Sequence, residues 1–139
     1  MCMMLYIVSD NELPIIEFER GAALSVVEIP WECAEVKRRL TKTYQYVALA
    51  HGGCGCGFCF AGAESVDDMG ELDELGRKSV AALFDYLQKH VSGDRCELIS
   101  YWAGNEGEEL VHRDTIRIGE FDFKKAFTFL EGQHVTVYK

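Results

Sequence analysis

Basic side chains are scarce in this sequence. The chain has fourteen Lys and Arg against twenty-three Asp and Glu, which leaves a formal net charge of -9. Nucleic acids and anionic membranes are bound mainly by clustered basic residues that neutralise phosphate charge. The densest basic group, Lys37 to Arg39 with Lys42, is short and typical of a solvated helix face. The composition therefore predicts neither a nucleic-acid nor a membrane partner, and a basic protein is the partner that an acidic surface favours.

Long hydrophobic runs and export signals are lacking as well. The apolar start, residues 1–8, is too short to span a membrane, has no cationic segment and is interrupted by Ser9 and Asp10. We therefore expect a cytoplasmic protein whose thiols stay reduced. The six cysteines are then buried hydrophobes, metal ligands or reactive thiols rather than three disulfides. With only two prolines and no repeat, residues 1–139 are predicted to form a single globular domain.

Apolar patterning predicts six strands and three helices. The strands are expected at residues 3–8, 24–29, 44–50, 96–103, 110–118 and 134–138. Two helices are expected at residues 32–41 and 123–130. Between them, a long helix is expected where apolar residues recur at helical spacing, in a stripe that ends near residue 91. Gly76 interrupts the long stripe, which favours a helix start after that residue with a separate turn before it.

The order of these elements indicates the fold class. Residues 104–109 separate two strand predictions and give a hairpin signal with a loop longer than the tightest turns. Hairpins mixed among helices favour an α+β fold. We therefore predict a largely antiparallel sheet with one long helix packed on a face.

A glycine- and cysteine-rich stretch, residues 51–60, follows the third predicted strand. It contains three of the six cysteines and four of the thirteen glycines. Four nitrogen or sulfur donors lie within nine residues: His51, Cys54, Cys56 and Cys59. This is the number of ligands that a closed tetrahedral zinc site needs, and the glycines permit a tight loop. Because structural zinc sites usually take ligands from two segments, Cys2 or Cys96 is a candidate to replace one local ligand.

The charge around this stretch also favours a cation. No Lys or Arg occurs between Thr43 and Gly76. Six acidic residues lie in the same interval: Glu64, Asp67, Asp68, Glu71, Asp73 and Glu74. The simpler interpretation of these acids is that they stabilise the N-terminus of the long helix.

The stretch admits other interpretations. Cys56 and Cys59 form a CxxC pair, but no helix signal follows at once, as a thioredoxin-like thiolate requires. A phosphate-binding loop would need a Lys and a Ser or Thr that are lacking here. Removal of the initiator methionine would make Cys2 an N-terminal nucleophile. Alternatively, the glycines only turn the chain, and the cysteines pack as small hydrophobes against Phe58 and Phe60.

Two short blocks of the sequence resemble a group of small uncharacterised bacterial proteins. The first block contains Met1-Cys2, Leu5-Tyr6-Ile7 and Ser9-Asp10, and the second is the GCGCGF sequence at residues 53–58. The resemblance implies no activity and therefore assigns no catalytic residue.

Three functional hypotheses follow from the sequence. The first is a small binding module that holds a metal ion, for which zinc is the candidate, or another small ligand at His51, Cys54, Cys56 and Cys59. The second is a thiol-dependent enzyme that uses Cys2 or a cysteine of that stretch. The third is an acidic protein-interaction domain in which the stretch is purely structural.

Overall fold

The fold is given by a computed structural model that describes residues 2–30, 44–61, 70–105 and 108–139. These ranges contain one α-helix and six strands. The helix is α1, Gly70–His90, and the strands are β1, Met3–Ser9; β2, Ser25–Glu28; β3, Tyr44–Leu49; β4, Arg95–Trp102; β5, His112–Arg117; and β6, Gln133–Tyr138. All six predicted strands are therefore confirmed, whereas the helix predicted at residues 32–41 lies outside the described residues.

The strands form one mostly antiparallel sheet. Their order is β2-β3-β1-β4-β6-β5, and only the pair of β5 with β6 is parallel. The central strand β1 is buried along nearly its whole length, as its continuous apolar sequence predicts. The predicted α+β class with a largely antiparallel sheet is confirmed.

The predicted hairpin between β4 and β5 is wrong. β6 lies between them, antiparallel to β4 and parallel to β5. Side-chain burial explains the order, because Val135 and Val137 of β6 are buried whereas most of β5 is exposed. An exposed, charged strand suits the edge of a sheet better than its interior.

The predicted helix at residues 123–130 is also wrong. This segment consists of turns and extended chain, and Phe127 forms a β-bridge with Phe60 of the glycine- and cysteine-rich stretch. Phe123 and Phe127, which lie within the predicted helix, instead join an aromatic cluster, and the ring centroid of each lies 6.0 Å from that of Phe60. Aromatic contacts with a distant segment therefore explain why these apolar residues occur here, and no helix is needed.

Helix α1 runs through Gly76, so the predicted start after this glycine is wrong. A Cβ atom at position 76 would lie 1.8 Å from the carbonyl oxygen of Cys59. Gly76 therefore marks a close approach between the helix and the stretch at residues 51–60, rather than a helix boundary. Within the part of the chain that is described, no helix is both long and apolar enough to cross a bilayer.

The core lies on both faces of the sheet. Val80, Leu83 and Leu87 of α1 belong to the same buried cluster as residues of the central strands, such as Leu5 and Leu98. A second buried cluster contains the alternate residues of those strands: Tyr6, Val8, Ile99 and Tyr101. The alternation follows from the opposite orientation of successive side chains in a strand.

Candidate metal centre

Three cysteine side chains converge at one end of the central strands. The Sγ atoms of Cys2, Cys54 and Cys56 all lie within 4.8 Å of one another. Cys2 directly precedes β1, and the other two follow β3. Because β1 and β3 pair antiparallel, the beginning of β1 lies beside the end of β3. The sheet register therefore brings together cysteines that are more than fifty residues apart in sequence.

The loop after β3 is seated directly on the backbone of β1. A 3₁₀ turn, Gly55–Gly57, contains Cys56. A Cβ atom at Gly55 would lie 2.6 Å from the carbonyl oxygen of Met3, a separation that real Cβ atoms do not adopt. Glycine is therefore required between Cys54 and Cys56 for the loop to approach β1, which explains one of the alternating glycines.

Backbone hydrogen bonds fix the three cysteines. The Met3 amide donates to the Sγ atom of Cys56 at 3.0 Å. The Ala103 amide donates to the carbonyl oxygen of Cys2 at 2.7 Å, and the Ala50 amide donates to that of Cys54 at 2.9 Å. Each cysteine is thus tied to a strand or to its end, which gives the cluster a defined geometry.

The other predicted ligands lie outside this group of three sulfurs. The thiol of Cys59 is exposed and donates to the carbonyl oxygen of Cys56 at 3.2 Å. The backbone amide of His51 donates to Ser79 Oγ at 3.2 Å, and its Nδ1 lies 3.2 Å from the same atom. Cys96 is buried in the core. The structure therefore combines two of the four predicted loop ligands with Cys2, which the sequence suggested only as a replacement.

Burial sets the proton affinity of the partly enclosed thiol. Desolvation raises the pKa of Cys54 to about 11, and the neighbouring Cys56 thiol contributes to this increase. Cys59 is exposed as a residue, but partial desolvation of its thiol also raises the pKa of Cys59, with smaller contributions from the charges of Cys56 and Asp73. A metal ion that binds Cys54 must therefore displace a proton, which makes binding more favourable at higher pH.

We expect alkylation of Cys54 in the metal-free protein to be slow at neutral pH and to reach half its maximal rate near pH 11. The thiolate is the nucleophile. Because the pKa is raised to about 11, the thiolate fraction of Cys54 at neutral pH is smaller than that of an ordinary cysteine. Short iodoacetamide pulses over a pH series, followed by peptide mass spectrometry, measure this profile. A midpoint at or below pH 9 in the folded protein would contradict the burial of this thiol.

No protein-family model, curated protein or solved structure matches this chain. The chemistry of the cluster can be derived from its donors. Zn–S bonds of about 2.3 Å at tetrahedral angles place ligand sulfurs about 3.8 Å apart. The three sulfurs, at most 4.8 Å apart, need to approach one another by at most about 1 Å to bind such an ion.

Proposed function

We propose that the protein is a metal-binding module that holds a zinc ion through Cys2, Cys54 and Cys56. The observation that carries this proposal is the convergence of three sulfurs from two distant segments within 4.8 Å. Packing as small hydrophobes does not account for it, because Cys2 and Cys56 are exposed. Thiolate ligands favour zinc and other soft ions over Mg²⁺ and Ca²⁺, which prefer oxygen ligands.

Local electrostatics support a bound cation. The sequence between Thr43 and Gly76 contains no basic side chain, so no nearby lysine or arginine in this interval neutralises the thiolates. The amide of Met3 donates to the Cys56 sulfur, and a hydrogen bond of this kind orients a metal ligand. A divalent cation would offset most of the charge of three thiolates.

The proposed ion would connect the beginning of β1 to the loop after β3. Three protein thiolates leave the fourth tetrahedral position for water or for another ligand. The sixth cysteine, Cys33, lies outside the described residues, and substitution tests whether it contributes. With or without Cys33 as a ligand, the ion would stabilise the contact between Gly55 and the backbone of Met3.

Zinc titration tests this function. In competition with a chromophoric chelator, we expect tag-free, metal-free protein to bind about one zinc ion per chain. Free zinc at about 100 times Kd should stabilise the fold by about 2.7 kcal/mol, which corresponds to an increase in Tm of roughly 10 °C. Magnesium at the same concentration serves as the control, and we expect no shift with it. Failure to bind zinc, or an unchanged Tm at saturation, would contradict the proposal.

A second candidate function is nucleophilic catalysis by Cys56. Cys56 is an exposed residue, and its sulfur accepts a hydrogen bond from the Met3 amide at 3.0 Å, which orients the sulfur at the surface. Alkylation of the metal-free protein at neutral pH distinguishes this candidate. A nucleophilic Cys56 reacts much faster in the folded protein than in urea-denatured protein, whereas equal rates would contradict this second function.

A further inference from the structure

We propose that Cys2 and Cys56 form a reversible disulfide, and that its formation releases the metal ion from the cysteine cluster. The disulfide itself depends only on the geometry of the two thiols. The release of metal rests on the proposed function, because it requires an ion held by the same sulfurs. The chain would then bind metal in its reduced form and lose it on oxidation.

The geometry places these two sulfurs near each other. They lie within 4.8 Å of each other, so a disulfide bond of about 2.05 Å requires an approach of at most about 2.8 Å. Rotation of the two side chains between staggered rotamers supplies a movement of this size. The Cys56 sulfur also lies 3.0 Å from the Met3 nitrogen, which belongs to the peptide that follows Cys2. Both side chains are exposed, so a soluble oxidant or reductant can reach them.

The other cysteine pairs of the loop are less suitable. Cys54 is partly buried, and only Gly55 separates it from Cys56. A bridge between Cys54 and Cys56 would therefore close a very small ring beside the 3₁₀ turn. Cys59 lies outside the group of three sulfurs, and its thiol donates to the carbonyl oxygen of Cys56 rather than to a sulfur.

A low-molecular-weight disulfide such as glutathione disulfide is the oxidant class that fits this chemistry. The Cys56 thiolate attacks one oxidant sulfur, a mixed disulfide forms, and the first glutathione thiolate leaves. The Cys2 thiolate then attacks the Cys56 sulfur, and the second glutathione thiolate leaves. Two electrons pass from the two cysteines to the oxidant. Any protons from the cysteine thiols are taken up by the glutathione thiolates, and the zinc ion is released with its charge unchanged. Excess glutathione reverses both steps.

The test uses the full chain loaded with zinc and treated with glutathione disulfide. We expect peptide mapping without reduction to recover a linkage between Cys2 and Cys56. A zinc indicator should report release of about one ion per chain with the same time course. Subsequent reduction should restore binding. A linkage between Cys56 and Cys59, or mixed glutathione disulfides alone, would overturn the proposal.

Three variants separate the two parts of the inference. Cys54→Ala is expected to bind zinc weakly but still to form the disulfide between Cys2 and Cys56. Cys2→Ala should stop at the mixed disulfide of Cys56 with glutathione, whereas Cys59→Ala should behave as the wild type. If wild-type protein does not bind zinc before oxidation, the proposed function fails while the mapped linkage still decides the disulfide. If zinc binds and oxidation leaves it bound, only the present inference fails.

Discussion

Cys56→Ser is expected to lower zinc affinity by at least about 100-fold. The substitution replaces a soft thiolate with a hydroxyl that stays protonated. It also removes the sulfur that accepts a hydrogen bond from the Met3 amide. Loss of an outer partner of a metal ligand already costs about 10- to 100-fold in affinity, so loss of the ligand itself should cost at least as much. Competition with a chromophoric chelator at fixed pH measures the change.

Cys59→Ser is the matched control for this prediction. Cys59 is three residues further along, is also exposed, and contacts the Cys56 carbonyl rather than the sulfur cluster. We expect its substitution to change zinc affinity by less than about 3-fold, whereas Cys2→Ser should resemble Cys56→Ser. A larger loss for Cys59→Ser than for Cys2→Ser would show that the loop alone binds the ion. Cys33→Ser, made in parallel, tests whether Cys33 is a zinc ligand.

Gly76→Ala is expected to lower the free energy of unfolding by about 1–2 kcal/mol. Alanine normally stabilises a helix interior by about 1 kcal/mol relative to glycine. Here, however, the added Cβ atom would lie 1.8 Å from the carbonyl oxygen of Cys59 and 3.0 Å from its carbonyl carbon. Because both atoms belong to the backbone, the helix and the loop must separate, and overpacking of this kind costs about 1–3 kcal/mol or more. Urea denaturation of the metal-free protein measures the difference.

Gly93→Ala controls for the general effect of replacing glycine. Gly93 lies just beyond α1, and a Cβ atom there would meet nothing within 4 Å. We expect this substitution to change stability by no more than about 0.5 kcal/mol. An increase in stability for Gly76→Ala, as an ordinary helix position would give, would contradict the close approach of α1 to the loop.

The strands could be predicted from the sequence, but their order could not. The continuous apolar sequence of β1 and the alternation in β6 are local signals. The position of β6 between β4 and β5 instead depends on which strand has buried side chains in the assembled sheet. The predicted third helix failed for a similar reason, because Phe127 pairs with Phe60 far along the chain. Local spacing does not distinguish such a contact from a helical stripe.

Only those residues of the candidate site that are close together in sequence could be predicted. The density of glycine and cysteine identified Cys54 and Cys56, whereas the role of Cys2 depends on the antiparallel pairing of β1 with β3. The position of His51 depends on Ser79 of α1, which lies beside both its amide and its ring. Gly76 suggests a helix boundary in the sequence, because the sequence does not show that the backbone of Cys59 lies against it.

Zinc-dependent protection of individual cysteines is the most direct test of the proposed site. Metal-free and zinc-loaded protein are alkylated at the same alkaline pH, for long enough that Cys54 also reacts in the metal-free protein, and each cysteine is quantified by peptide mass spectrometry. We predict that zinc protects Cys2, Cys54 and Cys56 and leaves Cys59 as reactive as before. Protection of Cys59 with continued reactivity of Cys2, or no protection at all, would contradict a metal site formed by these three sulfurs.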